Sequence, residues 1–178
     1  SKFLHELHSK GIIRWGRSSK APVGMFFVKK KDGSLRLIFD TRIANCHFHK
    51  PPNTDLLGPA GMADLLSESD DWFLGQGDVK NVFYQMGIPD WLCEYFSLDP
   101  ILAKDIGIDN DGTGLWKPYD VVYPQVQVLP MGWAWATYFC QSAVMASILG
   151  GKHVSSENVI RGAEPCPDLS REKTCLVV

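Results

Sequence analysis

Residues 26–45 read FFVKKKDGSLRLIFDTRIAN, and this stretch decides much of the fold. One apolar, β-favouring run covers residues 23–29, and a second covers residues 35–40. An Asp-Gly pair between two such runs is a strong signal for a β-hairpin. Three lysines at 29–31 fall at the tip, and Arg36 falls on the returning strand. The sequence therefore predicts a projecting arm with cationic ends.

The remainder of the chain mixes helical and β-type patterns without regular alternation. Residues 2–10 and 133–149 have the apolar spacing of helices, and each segment is followed by glycine. Further predicted elements are short helices over 62–68 and 91–95 and strands over 72–78, 96–98, 121–128 and 174–178. Segments rich in Pro, Gly or polar residues predict a connector over 46–62 and loops over 103–114 and 152–172. This mixture predicts an α+β domain.

Charge is distributed unevenly along the 178 residues, although the net charge is only −2. Residues 1–50 contain 11 of the 18 Lys and Arg and 3 of the 20 Asp and Glu, which gives +8. Residues 51–178 contain the other 7 basic and 17 acidic residues, which gives −10. The first segment is therefore a candidate anion-binding surface, and the second contains the carboxylates that could hold metal ions.

The cysteines and the N-terminus indicate the class of protein. Five cysteines are an odd number, and none forms a CxxC pair, which argues against both a disulfide framework and a zinc ribbon. Reduced thiols in an intracellular protein are the simplest interpretation. The first residues, SKFLHELHSKG, lack the apolar segment of a signal peptide.

The longest uncharged run, residues 121–151, raises the question of a membrane span. Pro124 and Pro130 interrupt this run, and its helical part is short for a bilayer. A buried core helix is therefore expected there, and no membrane partner is expected.

Asp78 is difficult to place from its surroundings. It lies in WFLGQGDVKNVFYQMGIP, residues 72–89, with apolar neighbours and in a segment that resembles the interior of a protein. A buried carboxylate needs a cation, several N–H donors or a metal ion close by. The residues themselves leave open whether Asp78 binds a metal ion or pairs with a Lys or Arg.

Three stretches together resemble a known family. FFVKKKDGSLRLIFDTRIAN, GDVKNVFYQMGIP and LPMGWAWATYFCQ are similar to the fingers hairpin, motif A and motif B of reverse transcriptases from long-terminal-repeat retrotransposons and retroviruses. The last two stretches are residues 77–89 and 129–141. The resemblance covers residues 4–145 and weakens over residues 99–120.

The resemblance implies an RNA-directed DNA polymerase with the right-hand fold. Residues 1–60 would form a fingers-like segment with the basic hairpin, and residues 61–178 would form a partial palm. The palm would be a mixed or antiparallel sheet packed on helices. The complete enzyme would transfer nucleotides to a primer 3′ end with Mg²⁺, or Mn²⁺, as cofactor. Its partners would be a nucleic-acid template–primer and a deoxynucleoside triphosphate.

The resemblance also assigns roles to individual residues. Asp78 and the backbone carbonyl of Val79 would bind the catalytic metal ions, because hard cations prefer oxygen ligands. Lys30 and Arg36 would hold the triphosphate, because Arg grips phosphate bidentately and Lys adds a mobile point charge. Phe83 would exclude a ribose 2′-hydroxyl.

Further roles follow from the same resemblance. Met131 and Gly132 would line the nucleotide pocket, and Gly132 would allow close approach of the backbone. Asp40 and Arg42 match an Asp-x-Arg of the family and would stabilise the fold.

The chain departs from the family pattern in ways that affect the predicted activity. Asn81 stands where many relatives have an acidic residue, Met131 where they have Gln or Phe, and Gly77 where an apolar residue is usual. The Tyr-x-Asp-Asp of motif C is absent, and residues 174–178 would be the strand that leads into it. Three interpretations follow: an inactive enzyme fragment, a non-catalytic remnant with a nucleic-acid-binding or structural role, and an unrelated α+β domain.

Overall fold

The computed structural model describes residues 2–54, 56–59, 62–63, 75–110, 112–151, 154–162 and 176–177, and within them the fold is α+β, as predicted. The described helices are α1 (Lys2–Ser9), α2 (Arg42–Asn45), α3 (Val82–Gln85), α4 (Asp90–Cys93), α5 (Ala103–Ile106) and α6 (Ala136–Gly150), with a 3₁₀ turn at Ser156–Asn158. The described strands are β1 (Ile13–Gly16), β2 (Gly24–Lys29), β3 (Leu35–Asp40), β4 (Ile101–Leu102), β5 (Val121–Val126), β6 (Val159–Ile160) and β7 (Leu176–Val177).

The chain divides into two compact units. The first contains residues 1–50 and 81–136, and the second contains residues 51–80 and 137–178. The division does not follow the chain in order, because residues 51–80 leave the first unit and residue 81 returns to it. The predicted boundary between fingers and palm at residue 60 stays a prediction.

The predicted hairpin of the first unit is confirmed by the antiparallel pairing of β2 with β3. At its tip the Lys30 N–H donates to the Ser34 carbonyl at 2.8 Å, and Gly33 has a φ of 84°. One carboxylate oxygen of Asp32 accepts both the N–H and the hydroxyl of Ser34, at 2.9 and 2.7 Å. The tight tip thus depends on the Asp-Gly pair that predicted it.

The three-stranded sheet of the first unit has the order β1-β5-β4 and encloses a buried amide. The side chain of Gln125 is 1% exposed, accepts from Arg14 Nε at 3.0 Å and donates to the Ser18 carbonyl at 2.7 Å. A Cβ at Gly16 would lie 2.3 Å from this amide. Glycine at position 16 therefore gives Gln125 the room to reach its partners.

The predicted strand over residues 96–98 pairs with β5 through one isolated bridge, between Ser97 and Gln125, and is not a regular strand. The Leu98 N–H donates to the Pro124 carbonyl at 2.8 Å, and the Val126 N–H donates to the Phe96 carbonyl at 2.9 Å. The strand predicted over residues 121–128 is confirmed as β5, which ends two residues earlier.

The polar loop predicted over residues 103–114 is wrong in its first half. Residues 103–106 form α5, and Ala103, Ile106 and Ile108 are buried in a core cluster with Trp116 and Val122. The intervening Asp and Lys side chains face water, and their polarity concealed the inward-facing apolar positions.

The second unit contains most of the predicted long helix and a strand pair that was not predicted. Helix α6 ends at Gly150 as expected, but Ala136 is its one buried residue, so the predicted burial of this helix is wrong within the described side chains. Residues 159–160, predicted as loop, form β6, which pairs in parallel with β7. Strand β7 lies within the run predicted over residues 174–178.

Several predicted elements fall partly outside the described residues. Of the helix predicted over residues 62–68, only residues 62–63 are described, and both are helical. Of the strand predicted over residues 72–78, residues 75–78 are described and have no regular secondary structure, so this part of the prediction is wrong. Among the described residues, no helix combines the length and the apolar character needed to cross a membrane.

Candidate functional site

The cationic tip of the β2–β3 hairpin is the first part of the candidate site. Residues 28–32 and Arg36 line an open depression, and Lys30 and Arg36 are both exposed. Asp32, the one anion in this depression, has its pKa lowered mainly by the hydrogen bonds from Ser34 and less by Lys30. Within the described part of the chain, lysines 29–31 and Arg36 form no ion pair. Their charges are therefore available to an external anion.

The hairpin also exposes large apolar side chains, which the sequence analysis did not single out. Phe26, Phe27 and Val28 are each about half exposed, and Leu35 is 62% exposed. The Phe27 ring meets the edge of Phe3 from α1 at a centroid distance of 5.4 Å. The arm thus contacts α1 partway along β2 and presents a mixed cationic and apolar surface.

Helix α3 carries Phe83 and contacts the hairpin. Phe83 is half-buried, and the hydroxyl of the neighbouring Tyr84 donates to the Leu37 carbonyl on β3 at 3.5 Å. Burial raises the pKa of Tyr84. After α3, the Met86 carbonyl accepts the Leu129 N–H at 2.7 Å. The residues around Phe83 are therefore joined both to β3 and to the start of the LPMGW turn.

Asn81 begins this segment in a left-handed conformation. Its φ is 55°, and it is the one described residue other than glycine with a positive φ. Asn tolerates this conformation better than most residues. Asn81, which stands where the resembled family has an acidic residue, thus occupies a left-handed backbone position.

The turn that carries Met131 and Gly132 packs against the end of β3. Within the turn the Pro130 carbonyl accepts the Trp133 N–H at 3.0 Å, and Gly132 has a φ of 113°. A Cβ at Gly132 would lie 3.1 Å from Thr41 Oγ1 and 3.2 Å from the Phe39 carbonyl oxygen. The positive φ and the close neighbours both favour glycine here.

Asn45 is a site residue that the sequence analysis missed. Its Nδ2 donates to the Gly132 carbonyl at 3.1 Å, and its Oδ1 accepts the Ala134 N–H at 2.9 Å. The partners are more than 85 residues away along the chain, and an Asn at the end of a four-residue helix gives no sequence signal for such contacts.

Asp40 and Arg42 form an ion pair between β3 and α2. Arg42 donates from Nε to both carboxylate oxygens, at 2.9 and 3.1 Å, and from Nη2 to one of them at 2.6 Å. The hydrogen bond from the Arg42 side chain is the main cause that lowers the pKa of Asp40 to about 2. The pair lies next to Thr41, against which the Gly132 turn packs.

Asp78 lies on the surface, so the prediction of an interior carboxylate is wrong. It belongs to the second unit, is exposed, and has no regular secondary structure around it. Apolar neighbours suggested burial, but Val79 is itself 48% exposed. Among the described residues, no hydrogen bond or ion pair of Asp78 is found.

The residues predicted to bind metal do not make up a complete centre. Mg²⁺ requires six oxygen ligands in near-octahedral geometry, and Asp78 with the Val79 carbonyl supplies two groups. No group of three or more His, Cys, Asp or Glu that could hold a metal ion occurs among the described residues. The Mg²⁺ or Mn²⁺ cofactor stays a prediction, and no chemical step is derived from it.

The structure brings most of the predicted site residues into one unit. The first unit contains Lys30, Arg36, Phe83, Met131 and Gly132, and the second contains Asp78 and Val79. No protein-family model matches the chain, and no curated protein matches it with significant similarity.

Proposed function

We propose that the chain is the fingers and part of the palm of a reverse transcriptase-like RNA-directed DNA polymerase. One observation supports this proposal most strongly. The three stretches that resemble the family are far apart in sequence, yet direct hydrogen bonds join them in the first unit: Tyr84 with Leu37, Met86 with Leu129, and Asn45 with Gly132. A polymerase needs these stretches together, because one nucleotide touches all of them.

The proposed role of the hairpin is to bind phosphate. A triphosphate carries several negative charges, and Lys30 and Arg36 present exposed cations that form no ion pair within the described part of the chain. The guanidinium of Arg36 can form two parallel hydrogen bonds to one phosphate group. Phe83, Met131 and Gly132 would then contact the sugar and base of the same nucleotide.

The proposed activity of the 178-residue chain is binding without catalysis. The complete enzyme would use Mg²⁺ for nucleotidyl transfer, but Asp78 and Val79 supply only part of the ligand set. A non-catalytic remnant that binds nucleic acid through the same hairpin is the alternative. That alternative predicts phosphate binding without preference for a nucleoside triphosphate.

The test is fluorescence anisotropy with a labelled template–primer, at low and at physiological salt. Binding should weaken steeply with salt, because phosphate contacts release counterions. The double variant Lys30→Ala/Arg36→Ala should bind about tenfold or more weakly, since each lost charge-assisted contact contributes about 1 kcal/mol or more. The control Lys104→Ala/Lys117→Ala removes the same charge from exposed positions outside the hairpin and should bind like the wild type. Equal losses in the two variants, or binding that does not depend on salt, would refute the role of the hairpin.

A further inference from the structure

Asn45 makes two hydrogen bonds to the turn that carries the predicted pocket residues. Its amide donates to the Gly132 carbonyl at 3.1 Å and accepts the Ala134 N–H at 2.9 Å. One side chain thus satisfies a backbone acceptor and a backbone donor two residues apart. Such a two-point contact fixes both the orientation of the turn and its distance from α2.

The surrounding contacts hold the same turn from both sides. Trp135 Nε1 donates to the His49 carbonyl at 2.7 Å. The ring of Trp133 packs edge-on against Phe48 at a centroid distance of 5.2 Å. Residues 41–49 directly follow the hairpin strand β3. They therefore contact residues 132–135 at several points. Asn45 is the member of this group whose side chain donates a hydrogen bond to the Gly132 carbonyl.

We propose that Asn45 is a positioning residue that sets the spacing between the Gly132 turn and the cationic hairpin. This inference rests on the proposed function, because it assumes that a nucleoside triphosphate lies across both. Its triphosphate would lie at Lys30 and Arg36, and its sugar and base would lie at the turn. Without Asn45 the hairpin would keep its charge, but the turn would lose its fixed place beside β3.

This role makes a prediction that a purely structural role does not make. Inorganic tripolyphosphate contacts the hairpin alone, whereas dATP needs both the hairpin and the turn. Loss of Asn45 should therefore weaken the binding of dATP and leave the binding of tripolyphosphate unchanged. General damage to the fold would weaken both ligands together.

The experiment compares Asn45→Leu and Asn45→Asp with the wild type, with both ligands measured by calorimetry in one Mg²⁺ buffer. Asn45→Leu removes both hydrogen bonds at similar volume. Asn45→Asp keeps the acceptor for Ala134 and loses the donor for Gly132. The control Asn110→Asp makes the same charge change at an exposed residue elsewhere in the first unit. Amide hydrogen exchange of Ala134, read by NMR, reports the contact directly.

For Asn45→Leu we expect about tenfold weaker dATP binding, unchanged tripolyphosphate binding and about tenfold faster exchange of the Ala134 amide, the effect of losing about two hydrogen bonds. For Asn45→Asp we expect weaker dATP binding with nearly normal Ala134 exchange, and for Asn110→Asp no change. Unchanged Ala134 exchange in Asn45→Leu, or an equal effect on both ligands, would overturn the inference. If the wild type binds neither ligand, the proposed function is refuted, and Ala134 exchange alone decides whether Asn45 holds the turn.

Discussion

Gly132 combines a φ of 113° with little room for a side chain, because an added Cβ would lie 3.1 Å from Thr41 Oγ1 and 3.2 Å from the Phe39 carbonyl oxygen. This backbone conformation is strained for an L-residue, and the added Cβ would crowd the hydroxyl oxygen of Thr41 and the carbonyl oxygen of Phe39. We expect Gly132→Ala to lower the free energy of unfolding by about 2–3 kcal/mol. Urea denaturation followed by circular dichroism measures this change.

Gly114 provides the matched control for Gly132. Its φ is also positive, at 65°, but a Cβ there would meet nothing within 4 Å. Gly114→Ala should therefore lower the free energy of unfolding only through backbone strain, by about 1 kcal/mol. Equal costs at the two positions would show that crowding of the added Cβ by Thr41 and Phe39 does not contribute to the destabilisation in Gly132→Ala.

The Asp40–Arg42 pair predicts a change with pH at the same junction. The pKa of Asp40 is lowered from 3.8 to about 2. The ion pair therefore stabilises the folded state fully at pH values above 3.8, the ordinary pKa of this carboxyl group. That stabilisation is lost as the pH falls through about 2. In Arg42→Gln the pKa of Asp40 should rise toward 3.8 but stay somewhat below it, because the backbone N–H of residue 42 still donates to the carboxylate. An NMR titration of the Asp40 carboxyl carbon measures this, and an unchanged pKa would contradict the assignment.

At the scale of the elements, the pairing of β1 with β5 depends on Gly16 and Gln125. A Cβ at residue 16 would displace the buried amide and break its bonds to Arg14 and the Ser18 carbonyl. Gly16→Ala should therefore cost about 2–4 kcal/mol of unfolding free energy. In a Gln125→Ser background the same change should cost much less, because the displaced group is gone. Additive costs in the double variant would show that Gly16 is required for another reason.

The elements that could be predicted from the sequence are those with local signals. The hairpin follows from its Asp-Gly tip, whose turn chemistry does not depend on the rest of the chain. Helix α1 and most of α6 follow from apolar spacing and a glycine stop. In each case the residues that decide the element are neighbours in the sequence.

The elements that could not be predicted depend on distant partners. Strand β6 is two residues long and exists through its pairing with β7. Helix α5 depends on Ile106 and Ile108, whose inward direction is set by Trp116 and Val122. The contacts of Asn45 could not be predicted for the same reason, since its partners lie in the distant turn at Gly132.

At the scale of the whole molecule, the candidate site could be predicted in part. The exposed cations of the hairpin and the glycine turn at Gly132 follow from turn chemistry and glycine geometry, which are readable from sequence, and the nucleotide-binding roles of Lys30, Arg36 and Gly132 stay predictions. The environment of Asp78 was not predictable, because apolar neighbours in the sequence do not determine what covers a residue in space. Its predicted metal-binding role therefore stays a prediction.

The whole chain should bind template–primer and show no primer extension with Mg²⁺ or Mn²⁺. Two metal ions close together need more carboxylate ligands than Asp78 provides, so the primer hydroxyl is neither activated nor aligned. A primer-extension assay on a gel measures this, with template–primer binding as the positive control. Extension by the wild type that disappears in Asp78→Asn would show that another acidic residue completes the centre.

The most direct measurement is hydrogen–deuterium exchange of the chain with and without template–primer and a complementary deoxynucleoside triphosphate. The central claim is that the hairpin tip, the residues around Phe83 and the Gly132 turn form one nucleotide-binding face. We predict slower exchange on binding in residues 29–36, 81–86 and 129–134, with the effect at 129–134 requiring the triphosphate. Binding without protection of these three segments, or protection confined to other parts of the chain, would contradict the account.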